Sequence, residues 1–151
     1  MRAAIAAARE SVAAGKGGPF GACIVREGQV LAVSSNHVLA HHDPTAHAEV
    51  SAIRAACSSI ENHLLDGAEI YSTTEPCPMC FSAIHWARCT KIYYGTNIAD
   101  VAALGFNELD VSNFQMKEIG GSPVEIVPDF LRDECLELLE FWQNYAGRQT
   151  Y

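Results

Sequence analysis

Two short clusters constrain this chain more than any other feature of it: His47-Ala-Glu49 and, further on, Glu75-Pro-Cys77-Pro-Met-Cys80. Proline is favoured at the first turn of a helix, where its missing N–H costs nothing, so Pro78 predicts a helix capped by Cys77. Positions i and i+3 share a helix face, so the sulfurs of Cys77 and Cys80 approach one centre from the same side. The positive end of that helix also lowers thiol pKa and favours thiolates. His47 completes a Cys₂His set. Three protein ligands suit a catalytic zinc, which keeps its fourth position for water, whereas structural zinc sites fill all four. Glu49, two residues beyond His47, points elsewhere on a helix, which makes it a proton-carrying base rather than a ligand.

At 151 residues, 49% hydrophobic and 19% charged, the chain has material for one domain with a buried core and too little length for two. No apolar run approaches the roughly 18 residues of a membrane span. The alanine-rich start is broken at Arg9-Glu10 and reads as a structural helix, not a leader. Cys23, Cys57, Cys89 and Cys135 sit among apolar neighbours as buried free thiols, which suits a reducing cytoplasm. Eighteen acidic against ten basic residues give a formal net charge of −8. That balance disfavours nucleic acid, whose binding rests on Lys and Arg neutralising phosphates. A small-molecule substrate is expected instead.

Along the chain, apolar periodicity predicts a helix over 2–14 and strands over 20–26 and 29–34, joined by Glu27-Gly28 as a two-residue hairpin turn. A histidine-rich loop over 36–45 leads to a helix over 46–58 with His47 in its first turn and Val50, Ile53 and Cys57 on its core face. A third strand is expected over 68–73, the cysteine helix over 78–87 with Met79, Ala83, Ile84 and Trp86 available for packing, and a fourth strand over 91–95. A short helix over 98–103, a loop over 105–121 and a strand over 124–127 follow. The last helix starts at Pro128-Asp129, carries Leu131, Cys135, Leu138, Leu139 and Trp142 on one face, and stops at Gly147. Strands alternating with helices imply an α/β sandwich with helices on both faces of one sheet. Its ligands commonly bind at strand-to-helix turns of the kind that carry both clusters.

These residues also carry a resemblance. A His-x-Glu followed by Pro-Cys-x-x-Cys, here His47 to Glu49 and Pro76 to Cys80, is the known signature of zinc-dependent nucleobase deaminases. Further matches are Gly17-Gly-Pro-Phe-Gly21, Asn36, Asp43-Pro-Thr-Ala-His-Ala-Glu49, Ala83-Ile84, Trp86-Ala-Arg88 and Gly105-Phe106. Together with the tail ending at Tyr151, they make the chain similar over nearly its whole length to the cytidine deaminase-like superfamily, and within it to bacterial guanine deaminases. The resemblance implies a three-layer α/β/α sandwich with a five-stranded mixed sheet, one domain over 1–151, and a homodimer. It implies Zn2+ on His47, Cys77 and Cys80, with Glu49 as the catalytic proton shuttle. It places Asn36, Phe20, Ala48, Trp86, Glu108 and Tyr151 against the substrate, with the tail 147–151 closing over a site in its own or the neighbouring subunit. The implied reaction is hydrolysis of guanine to xanthine and ammonia in the cytoplasm.

One departure bears on the substrate. Guanine deaminases of this kind carry Gly-Phe-Asp-Asp where this chain has Gly105-Phe-Asn107-Glu108. Glutamate keeps the charge and extends its reach by one methylene. Read from their own segments alone, Phe20 and Trp86 are core aromatics, while a turn cap at Asn36 and a frayed tail stay open as alternatives to substrate contact. Three other functions remain open. Another small aminated ring, such as a pyrimidine, triazine or purine nucleoside, would use the same chemistry. A tRNA adenosine deaminase would need a basic surface, and a structural zinc module would need a fourth ligand from His37, His41 or His42.

Overall fold

The structure, a computed structural model, describes residues 1–151. In chain order its elements are α1 (Arg2–Ala13), β1 (Gly21–Arg26), β2 (Gln29–Ser35), α2 (Val38–His41), α3 (Ala48–Ser59), β3 (Glu69–Thr74), α4 (Pro78–Trp86), β4 (Lys91–Thr96), α5 (Ile98–Ala102), α6 (Asn113–Gly120), β5 (Glu125–Val127) and α7 (Arg132–Gln143). One five-stranded sheet runs in the order β2-β1-β3-β4-β5. β1 pairs antiparallel with β2 and with β3, whereas β3, β4 and β5 are parallel, so the sheet is mixed. The hairpin turn forms at Glu27 and Gly28, both at positive φ (52° and 75°), the pairing whose twist matches that of the flanking strands.

Alternation along the strands assigns the two faces. Ala22 and Ile24 of β1, Ile70 of β3 and Ile92 of β4 join Ala48, Ala52, Ala56, Phe81 and Ile84 in the main core, which covers one face with α3 and α4. Residues of opposite parity face α1 and α7. There the sheet has glycines: a methyl at Gly21 would collide with the carbonyl of Ala4 in α1, and one at Gly95 with the thiol of Cys135 in α7. The two helices therefore sit closer than any larger residue would permit. They meet each other through Ile5, Ala8, Cys135 and Leu138. The result is the expected three-layer α/β/α sandwich, and the C-terminal ends of the parallel strands β3 and β4 lead into the turns of both cysteines and of α5.

Several expectations need correction. Helix α3 starts at Ala48, and His47 is its N-cap in extended backbone (φ −64°, ψ 154°), not a first-turn residue. The cause is local: Asp43 Oδ1 accepts hydrogen bonds from the Thr45 N–H (2.8 Å) and hydroxyl (2.7 Å), holding the chain in a turn just where helix was expected to begin. Its deepest face is Ala48, Ala52 and Ala56, fully buried, with Ile53 and Cys57 packed at the margin. The segment 105–121 is not all loop, since α6 occupies its second half with a reciprocal cap between Ser112 and Gln115. The loop 36–45 likewise contains the single turn α2. Helix α7 begins at Arg132 because Asp129 and Leu131 take positive φ (59° and 54°). It ends at Gln143, where the Asn144 side chain donates to the Glu140 carbonyl and competes with further helix, well before Gly147.

Candidate active site

The two clusters meet at paired helix starts. His47 caps α3 and Cys77 caps α4, both in extended backbone, and Pro78 takes the first helical position as its missing N–H allows. Cys80, one turn into α4, is fully buried. His47 Nδ1 lies 3.5 Å from Cys80 Sγ and 3.7 Å from Cys77 Sγ, and the three ligand atoms fall within 4.8 Å of one another. A tetrahedral zinc with bonds of about 2.3 Å to sulfur and about 2.0–2.1 Å to nitrogen would hold such atoms about 3.6 Å apart. The residues present therefore fit the ion. No fourth histidine, cysteine or acid joins the group; His37 and His41 stack on each other instead, ring centroids 5.1 Å apart.

Of the two thiols, Cys77 is the one that ionises readily. A hydrogen bond from Cys80 pulls its pKa down to about 4 against the opposing effect of burial, with His47 assisting. Cys80, the donor in that bond and buried beside Glu49, is pushed well above the ordinary thiol range. For His47 burial works downward, but the bond to Cys77 and the charge of Glu49 outweigh it and raise the pKa.

Glu49 sits at the second position of α3 and points inward, 6% exposed. Burial pushes its carboxyl above the usual range, partly offset by His47. Its Oε1 accepts a 2.7 Å hydrogen bond from the Ser72 hydroxyl on β3, and its Oε2 lies 3.4 Å from Cys80 Sγ. A small cavity of about 30 Å³ is lined by Phe20, His47, Glu49, Thr74, Glu75, Cys77 and Glu108. It has room for a water molecule and not for a bicyclic base. Burial is also the main cause raising the Glu108 carboxyl, with Cys77 adding to it.

The remaining sequence-derived positions divide. Asn36 is 1% exposed; its Oδ1 accepts from the Val38 N–H, as a turn cap does, while its Nδ2 has no partner in the chain. Ala48 is fully buried at the first helical position of α3, which offers only its backbone N–H. Phe20 meets Phe106 edge-on (5.0 Å), and Phe106 meets Tyr151 in the same way (5.4 Å). The tail is not frayed: the Tyr151 hydroxyl accepts from the Gly18 N–H at 3.3 Å, and its carbonyl accepts from the Asn107 N–H at 3.4 Å. It folds onto its own chain.

Of the expected substrate contacts only Phe20 and Glu108 line the cavity; Asn36, Ala48, Tyr151 and Trp86 do not. Trp86 is 77% exposed at the end of α4, beside a larger cavity of about 700 Å³ that contains none of the ligand residues. Helix geometry explains this, since Trp86 is two positions from the buried Ile84 and points away from it. Sequence reasoning also gave no role to Ser72, Glu75 and Asn113. Ser72 had a signal, a polar residue on the strand face that otherwise carries Ile70. For Asn113 the signal was the Ser-x-x-Gln pattern at 112–115, a helix-start motif.

Comparison with known proteins agrees with this geometry. The family model of the cytidine and deoxycytidylate deaminase zinc-binding region matches residues 1–96. The guanine deaminase of Bacillus subtilis is 40% identical over 154 aligned residues, spanning 100% of this chain and 96% of that protein. Its solved structure superposes with a TM-score of 0.69 at 39% identity, covering 99% and 95% of the two chains. A guanine deaminase structure from Nitrosomonas europaea gives a TM-score of 0.80 at 28% identity, covering 93% and 81%. The tRNA-specific adenosine deaminase of Agrobacterium fabrum is 47% identical, but over only 51% of each chain.

Proposed function

The chain belongs to the cytidine and deoxycytidylate deaminase zinc-binding family, and we propose that it hydrolyses free guanine to xanthine and ammonia. The observation that carries the reading is the buried carboxyl of Glu49 set beside the three ligand atoms of His47, Cys77 and Cys80. Full-length similarity at 40% identity to the Bacillus subtilis guanine deaminase supports guanine as the base, and a net charge of −8 weighs against RNA.

His47, Cys77 and Cys80 would hold the zinc. When bound there, zinc supplies a Lewis acid that brings the pKa of a water towards neutrality. Glu49 takes a proton from the attacking water and delivers it to the ring nitrogen next to the amino-bearing carbon. It then carries the second proton of the same water to the departing amino group, which leaves as ammonia as the carbon–oxygen double bond forms. Burial raises the Glu49 carboxyl above the ordinary range, the direction that suits a group that hands a proton on. Asn36 Nδ2 is a buried donor free for an acceptor on the base, Glu108 accepts from its N–H groups, the Ala48 N–H and Phe20 line it, and Tyr151 closes over it.

A homodimer is supported by apolar residues left outward on neighbouring helices, Trp86 on α4 and Ile119 on α6, 77% and 84% exposed. Such a partner would cover Trp86 and bring it against a site. A cytoplasmic location is supported by six free cysteines and by the lack of any helix long and apolar enough to cross a membrane.

The test is ammonia release from guanine, guanosine, adenine, cytosine and cytidine by zinc-loaded protein, with Glu49→Gln as control. Release from guanine, lost by about three orders of magnitude or more in Glu49→Gln at unchanged zinc content, is expected. Release from a different ring would move the substrate; undiminished activity in Glu49→Gln would remove the mechanism.

A further inference from the structure

Glu75 has no part in the proton path, yet it is 7% exposed and forms part of the cavity wall beside Cys77 and Glu108. Its two carboxyl oxygens are engaged separately. Oε1 accepts the N–H of Asn113 at 2.8 Å, and Oε2 accepts the N–H of Ile98 at 3.4 Å. Ile98 is the first residue of α5 and Asn113 the first of α6. Backbone N–H groups at helix starts have no partner within the helix, and a single carboxyl group is well suited to satisfying two of them.

The segment between those two residues is the one that carries Phe106 and Glu108 into the site. The clamp is doubled at one end, where the Asn113 side chain donates to the Pro76 carbonyl. It is anchored on the sheet as well, since the Glu75 N–H donates to the Thr96 carbonyl at 2.7 Å. One side chain thus ties both ends of the Glu108 segment to the turn that presents Cys77.

We infer that Glu75 is a positioning residue, holding both ends of segment 98–113 against the cysteine turn so that the Glu108 carboxyl is fixed in the cavity. The inference rests on the reading that Glu108 contacts the base. Glu75 acts on substrate binding through Glu108 and leaves the proton transfer by Glu49 alone. A helix-capping role alone would change stability and leave substrate affinity untouched.

Glu75→Gln is the informative change. It keeps the shape but must turn an NH₂ group towards one of the two N–H donors, so one end of the segment is released. The zinc-loaded variant is expected to keep full zinc content, to raise the KM for guanine about tenfold, and to hold kcat within about threefold. In a Glu108→Gln background the same change should add nothing further to KM, the signature of one residue acting through the other. Hydrogen exchange at the amides of Ile98 and Asn113 should accelerate about tenfold at one or both, while 77–86 is unchanged.

Unaltered exchange and KM would overturn the inference, as would additive KM changes or loss of zinc. Should Glu75→Gln not fold, Glu75→Asp, with both acceptors and a shorter reach, is expected to show the same pattern at smaller amplitude. If zinc-loaded wild-type protein does not deaminate guanine, the functional reading fails by itself, and the exchange measurement still decides whether the clamp exists.

Discussion

The Ser72 hydroxyl on β3 donates a 2.7 Å hydrogen bond to Oε1 of Glu49, with both side chains buried. The bond fixes one carboxyl oxygen and leaves Oε2 turned towards Cys80, on the side where the ligand atoms gather. A base must be held at the atom whose proton it takes, and a carboxyl on a single χ3 torsion swings freely without such an anchor. Ser72→Ala is expected to lower kcat about tenfold, the loss of roughly 1.4 kcal/mol of transition-state stabilisation, with KM changed by less than about twofold. Ser72→Thr should recover most of the rate. Steady-state kinetics at equal zinc content decide it: a full-rate Ser72→Ala enzyme would show that the helix alone orients Glu49.

Two acidic groups of the cavity are neither ligand nor base: Glu75, whose oxygens are taken by backbone N–H groups, and Glu108. Glu108→Gln keeps the size but replaces an acceptor with a donor, and kcat/KM for guanine is expected to fall about 30- to 100-fold, as for the loss of a charged hydrogen bond. Glu108→Asp withdraws the acceptors by one methylene and should lose about tenfold. Equal losses on an unrelated aminated ring would mean that Glu108 shapes the cavity without reading the base.

Much of this was legible in the sequence wherever the cause was local. Pro78 announced that Cys77 would cap a helix, Glu27-Gly28 announced the hairpin, and apolar runs marked every strand. What was not legible depended on partners far along the chain or on a turn competing with a helix. His47 became a cap because the side chain of Asp43 holds a turn that delays the helix start by two residues. Glu75 reads as a linker to the cysteines until α5 and α6 are brought to it from 23 and 38 residues away. Tyr151 is placed by Gly18, 133 residues distant.

Asp100 joins α5 to α7. Its Oδ2 accepts from the Asn97 N–H (2.8 Å), and both its oxygens accept from the Arg132 guanidinium (2.8 and 3.0 Å). Burial alone would raise its pKa, but the bonds from Arg132 and Asn97 outweigh it, so the folded value lies below the ordinary one. A carboxyl depressed in the folded state contributes stability above its unfolded pKa and loses it as the pH falls through the folded value. Asp100→Asn is therefore expected to destabilise by about 1 kcal/mol at pH 7, solvent screening keeping the effect small, and the gap to wild type should shrink below about pH 4. Urea unfolding at pH 7 and pH 3.5 measures both. An equal gap at the two values would show that shape, not charge, makes the contact.

The cavity beside Glu49 is too small for a base, so admission of substrate requires a wall to move, and the tail backs one wall through Phe106, which packs between Tyr151 and the wall residue Phe20. Tyr151 is the candidate, because its ring is held by an edge contact to Phe106 and one hydrogen bond from the Gly18 N–H, and its main-chain oxygen by one from the Asn107 N–H. Removing 147–151 is expected to leave zinc content unchanged and raise KM about tenfold, since the opened site no longer shields the base from water. Tyr151 packs on Gly18 and Phe106 of its own chain, and mixing tail-deleted protein with Glu49→Ala protein is therefore expected to restore no affinity for guanine, each chain lacking what its own site needs. Recovery of low KM in the mixture would show the tail reaching into the neighbouring subunit.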